Sequence, residues 1–178
     1  VFKKFNNNSI FNELIKTKLL FNDNISVSSS IIGTSDLKKS IFQDMKINFN
    51  IVNGKINFDK TRLINNKIGF LELANSNLSF ENDSLILNTN IIIDINNSEE
   101  LFSLLQTNKR FRKPIKDIVI NLDYDFSNNK ILFNTFKIEN QEMSDESLRI
   151  MEGFNNNNFH KWNKTRRILN AFFKSYAG

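Results

Sequence analysis

The sequence predicts a mainly β fold, an antiparallel β-meander with one inserted helix and two C-terminal helices. Three observations predict it. Apolar and polar residues alternate with a period of two through most of residues 45–138, and turn-forming pairs break the alternation in place of long linkers. The period becomes helical only near residue 98 and beyond residue 144.

Residues 1–40 are weakly patterned, with a short helix expected over 11–20 and a strand over 25–32. They are expected to be the end of a preceding, truncated segment, because the chain starts at Val1 and not at Met. A signal peptide or membrane anchor would have gone with that segment. From Met45 the pattern sharpens: Met45, Ile47, Phe49 and Ile51 share one face, and Lys46, Asn48 and Asn50 the other. Asn53-Gly54 supplies the two positive-φ residues of a type I′ turn, and the chain returns through Ile56 and Phe58.

Further strands are expected over 62–64, 67–73, 77–81 and 85–95, separated by Asn65-Asn66 and Asn82-Asp83. Ser98 then offers an N-cap. Glu99 and Glu100 suit the positive end of a helix dipole, and Leu101, Phe102, Leu104 and Leu105 form an apolar stripe, so a helix is expected near 98–107. Past the basic link 109–113, Pro114 forces extended geometry on its neighbour. Alternation resumes through Ile118, Ile120, Leu122, Tyr124 and Phe126, turns at Asn128-Asn129, and returns through Ile131, Phe133, Phe136 and Ile138.

The last part, 141–178, changes character. Ser144 can cap a helix, with Asp145 and Glu146 in its first turn and Met143 reaching Leu148 as a hydrophobic staple. Four consecutive Asn residues, 155–158, make a loop. Trp162, Thr165, Leu169, Phe172, Phe173 and Tyr176 then recur at helical spacing, with Lys164, Arg166, Arg167 and Lys174 on other faces. The sheet itself is assigned to 41–140.

Composition excludes more than it identifies. A chain of 178 residues buries one core. Without Cys there is no thiol catalysis, disulfide or zinc-thiolate site. The net charge of +5 invites a nucleic-acid reading. However, Asn, Ile, Lys and Phe, all with A/T-rich codons, saturate the chain, and Lys far outnumbers Arg, so genome composition accounts for the charge. No run approaches the roughly 18 apolar residues of a spanning helix.

Enzyme chemistry finds no support. The single histidine, His160, lies between Phe159 and Lys161 without a neighbouring carboxylate, and no glycine-rich phosphate loop is present. Glu99-Glu100 suits a helix start, and Asp123 and Asp125 alternate outward on a strand. No metal ligand set or cofactor site is expected. Lys109, Arg110, Arg112 and Lys113, with Arg166 and Arg167 of the last helix, are candidates for contact with phosphate or lipid headgroups. They lack the interleaved aromatics of a nucleic-acid stacking platform, which makes nucleic acid an unlikely partner.

What remains is a continuous apolar face. Its candidate residues are Ile47, Phe49, Ile51, Ile56, Phe58, Leu78, Phe80, Leu85, Leu87, Ile91, Ile93, Ile118, Ile120, Leu122, Phe133 and Ile138. Periodicity alone leaves two readings open: ordinary core covered by the helices, and a curved sheet forming a hydrophobic groove for an apolar ligand. Short helices cover only part of so large a sheet.

The segments NIVNGKINFDKTRLINNKIGFLEL (50–73), NSNLSFENDSLILN (75–88), SEELFSLLQTNKRFRKPIKDIVINLDYDF (98–126) and ILNAFFKSYAG (168–178) together resemble the C-terminal region of small AsmA-family proteins of A/T-rich alphaproteobacteria. That group is similar to the TamB-like repeating β-groove proteins. The resemblance covers about three quarters of the chain and includes no catalytic motif. It implies a periplasmic, inner-membrane-tethered protein whose sheet curls into a hydrophobic trough, with a part in outer-membrane biogenesis and phospholipid movement. The partners it implies are phospholipid and the inner membrane, through an N-terminal anchor not seen here. The alternative is a structural or adaptor module that recruits an envelope protein through sheet edges or the basic C-terminal helix. A ten-residue strand runs roughly 33 Å, against about 15 Å for the acyl tails of one leaflet, and each buried methylene contributes about 0.8 kcal/mol.

Overall fold

A computed structural model describes residues 17–35, 41–81, 84–155 and 162–178. The expected pair Asn82-Asp83, His160, most of the 11–20 helix and most of the Asn run lie outside the described residues. The chain is mainly β: nine antiparallel strands form one sheet, with three helices among the described residues. The strands are β1 (Ser26–Thr34), β2 (Asp44–Val52), β3 (Lys55–Asn57), β4 (Arg62–Asn65), β5 (Gly69–Glu81), β6 (Ser84–Ile95), β7 (Asp117–Asp125), β8 (Lys130–Ile138) and β9 (Gln141–Glu142). Helix α1 (Ser98–Leu105) follows β6, and α2 (Asp145–Glu152) and α3 (Trp162–Ala177) follow β9.

Strand order follows chain order, with β3 and β4 sharing one position between β2 and β5. Asn53 (φ 50°) and Gly54 (φ 70°) make the type I′ turn between β2 and β3. Gly54 has a second reason to lack a side chain, because a Cβ there would run into the Phe21 carbonyl. Between β3 and β4 the ladder breaks, and side chains fill the gap. The Thr61 hydroxyl accepts the Asn48 N–H at 3.0 Å and donates to the Asn48 carbonyl at 3.2 Å, while the Asn48 amide donates to the carbonyls of Asp59 and Lys60.

Four expectations need correction. Residues 67–73 and 77–81 belong to one strand, β5, because a bulge at Asn75 (φ 51°) absorbs the interruption without ending the pairing to β6. The cap of α1 is Asn97 and not Ser98: Asn97 is extended, and its Oδ1 accepts the Glu100 N–H at 3.2 Å. The sheet starts at Ser26 and not at residue 41, since all nine residues of β1 pair with β2. At the end of the expected first helix, Leu19–Phe21 is a single 3₁₀ turn. Ser144 caps α2 as expected, accepting the Ser147 N–H at 3.3 Å. Among the described residues no helix is long and apolar enough to cross a membrane.

The helices lie on one face of the C-terminal half of the sheet. Phe102 and Leu105 of α1, Met151 of α2, and Phe172 and Phe173 of α3 are buried with Ile118, Ile120 and Leu122 of β7 and Phe136 and Ile138 of β8. The rings interlock, with Phe136 and Phe172 at 4.6 Å and Phe102 edge-on to Phe173 at 5.4 Å. A second, smaller core joins Ile51, Ile56, Leu78 and Leu85, with Leu20, Phe21 and Ile25 packed on it.

Candidate functional site

Strand register places the apolar residues in rows that cross the sheet. One row runs Gly33, Met45, Leu63, Leu71, Ile93, Ile118, Ile138, and the next contains Ile31, Ile47, Ile91, Ile120 and Phe136. In the first row every residue is directly opposite its neighbour in an antiparallel pair. In the second, Ile31 lies opposite Ile47, and Ile91, Ile120 and Phe136 lie opposite one another in turn, with the break between β3 and β4 and then Leu73 between the two groups. The opposite face is mixed, with Ile64, Phe70, Ile86, Ile92, Val119 and Leu132 set among polar residues. There Asn88 donates to Asp123 at 2.6 Å, Asn121 donates to Asn90 at 2.8 Å, and Asn134 donates to both Asn121 and Asp123, a side-chain network added to the backbone ladders of β6, β7 and β8.

The two cores occupy opposite corners of the apolar face. Ile118, Ile120, Leu122 and Ile138 are closed under the helices, and Ile91, Ile93 and Phe133 pack against the same core. Ile51, Ile56, Leu78 and Leu85 are closed in the second core, flanked by Phe49, Phe58, Phe80 and Leu87. Ile47 is half-buried and belongs to neither. Most of the sixteen expected groove residues therefore pack against protein, which narrows the surface open to a ligand.

That open surface is the start of the first two rows. Ile31 is 57% exposed and Met45 39%, and Ile47, Leu63, Leu71 and Leu73 are half-buried beside them. A cleft of about 250 Å³ opens at this corner between Gly33, Phe42, Met45 and Leu63. Periodicity found Ile47 here. It missed Ile31 and Leu63, since β1 carries three consecutive serines and β4 is only four residues long.

The basic candidates divide. Arg112 is occupied: its guanidinium donates to Glu99 at 3.0 Å and to the Thr107 carbonyl at 3.0 Å. Lys109 and Arg110 lie in a 3₁₀ turn with Phe111, where Arg110 stacks 4.4 Å from the ring and Lys174 of α3 approaches it at 5.9 Å. Lys113 lies 4.4 Å from the Tyr176 ring. Lys174 thus joins the expected cations. A cleft of about 320 Å³ between Thr107, Asn108, Phe111, Asn170 and Lys174 lies within this group. Arg167 is exposed and Arg166 half-buried on α3. Among the described residues no three His, Asp or Glu side chains gather closely enough to hold a metal ion.

Comparison with family models, curated proteins and solved structures yields no significant match.

Proposed function

We propose that this chain is a lipid-binding or lipid-conducting β-groove segment of an inner-membrane-tethered envelope protein, of the AsmA type, with α1, α2 and α3 closing one end of the groove. One observation carries the reading: the apolar face continues beyond both cores into the open strip of Ile31, Met45, Ile47, Leu63 and Leu71. Four strand positions spaced about 4.8 Å apart make this strip roughly 15 Å across, comparable to one leaflet's acyl tails. The basic group around Phe111 supplies a surface for anionic headgroups.

The test is native mass spectrometry of the chain purified in mild detergent, beside Ile47→Lys and Leu63→Glu. Stoichiometric phospholipid on the wild type, lost in both variants while thermal unfolding stays cooperative, supports the groove. A lipid-free wild type that unfolds cooperatively overturns it. Ile120→Lys is unsuited to this purpose, because that side chain lies under the helices and its charge unfolds the domain.

A second reading, a module that takes a protein partner, is favoured by the outer side of β1, on which no described strand is paired.

A further inference from the structure

We propose that the chain pairs with a second copy of itself through β1, antiparallel about Ser30, so that two sheets join edge to edge. The two ends of the sheet are treated differently. At the far edge, β9 pairs with Lys137 and Ile138, and the Asn155 side chain hydrogen-bonds both the N–H and the carbonyl of Ile131 at 2.6 Å. That edge is blocked. On the outer side of β1 no described strand is paired.

The backbone groups on that side are known from the register. The Ser35 N–H donates to the Gln43 carbonyl at 2.6 Å, and Thr34 lies opposite Asp44. Odd-numbered residues of β1 therefore exchange hydrogen bonds with β2, and Ser26, Ser28, Ser30, Ile32 and Thr34 turn N–H and C=O outward. Three common protective devices are missing from the strand itself: residues 25–35 contain no charge and no proline, and β1 pairs with β2 without a bulge. Val27 is 46% exposed and Ile32 76%.

The strand is complementary to itself. Pairing about Ser30 uses all nine residues and brings only outward-turned residues into hydrogen-bonded pairs: Ser26 with Thr34 of the partner subunit, Ser28 with Ile32 of the partner subunit, and Ser30 with Ser30 of the partner subunit. On the apolar face Val27 meets Gly33 of the partner subunit and Ser29 meets Ile31 of the partner subunit, a large side chain opposite a small one each time. No charges meet. Among the described strands β1 alone offers such an edge, so the assembly closes at two.

Sedimentation velocity of the purified chain over a range of concentrations tests this, alongside Ser30→Pro and Ile32→Lys. Ser30→Pro removes an outward N–H, a change edge strands tolerate, and Ile32→Lys adds a charge at an exposed side chain. The expected wild-type mass is that of two chains, halved in both variants with thermal unfolding unchanged. If Ser30→Pro unfolds, Ile32→Lys decides. A single-chain wild type overturns the proposal and leaves the edge to a strand from another protein. A mass above two chains, or a dimer that survives in Ile32→Lys, overturns it as well. The pairing is independent of lipid binding: Ile47→Lys leaves the edge intact, and a dimer is expected there too.

Discussion

The Asn155 side chain grips the backbone of Ile131 with two hydrogen bonds of 2.6 Å, Oδ1 accepting the N–H and Nδ2 donating to the carbonyl. A side-chain amide has the donor and acceptor of a peptide group, so Asn155 stands in for one residue of a neighbouring strand. Asn155→Ala is expected to destabilise the fold by roughly 1–3 kcal/mol. Asn155→Asp is expected to do no better, because a carboxylate turns an acceptor toward the Ile131 carbonyl. Urea unfolding followed by circular dichroism measures both.

Thr61 does similar work inside the sheet, where its buried hydroxyl satisfies both backbone groups of Asn48. Thr61→Val keeps the shape and removes the bonds. The expected loss is about 1–3 kcal/mol, with the denaturant slope unchanged because the folded chain stays equally compact.

Phe172 is 1% exposed and packs on Phe136 and Phe173. Phe172→Ala is expected to cost about 3–5 kcal/mol. Leu132, on the face away from the helices and 54% exposed, provides the contrast: Leu132→Ala is expected to stay within about 0.5 kcal/mol. Thermal unfolding of the two variants compares the helix-covered side of β8, where Phe172 of α3 meets Phe136, with its exposed side.

Asp125 gives stability a pH dependence. Burial opposes its ionisation, but hydrogen bonds from the side chain and backbone of Asn128, the Ser127 backbone and the Ser84 side chain outweigh burial and hold the carboxyl below its ordinary value of 3.8. The folded state then binds fewer protons than the unfolded one across that interval. The contribution is fully present above the ordinary value and is lost as pH falls through the lowered one. The stability difference between wild type and Asp125→Asn is therefore expected to shrink on acidification, as urea midpoints against pH would show.

The cations around Phe111 make a testable surface. Each Lys or Arg near an anionic membrane contributes about 1 kcal/mol, so Lys109→Gln, Lys113→Gln and Lys174→Gln are each expected to weaken binding to anionic vesicles roughly fivefold at low salt. Added salt should erase the difference. Arg112→Gln is expected to act mainly on stability, since that guanidinium is held by Glu99 and the Thr107 carbonyl. Vesicle co-sedimentation separates the two behaviours.

The strands were legible because a half-buried sheet writes its period into the sequence, and Asn53-Gly54 was legible because few other residues accept its two positive φ angles. The turn at Glu139 (φ 50°) and Asn140 (φ 65°) was not. Glu rarely occupies that conformation; here its carboxylate accepts the Lys116 N–H at 3.1 Å and its own N–H reaches the Asp117 carbonyl. The apolar face was readable residue by residue. Which corner stays open was not, because that depends on where α1, α2 and α3 come to rest on the sheet. Nor does a run of basic residues reveal that Glu99 and Thr107 occupy Arg112 and not its neighbours.

The order of strands in the sheet follows their order in the chain, apart from the position shared by β3 and β4. Each strand closes onto the one just completed, so few large loops must be drawn together before pairing begins. Such local topology favours fast folding for a β protein. The sheet can zip from one hairpin to the next, and adding or removing a hairpin at its end would alter its span far more than the barrier to its formation.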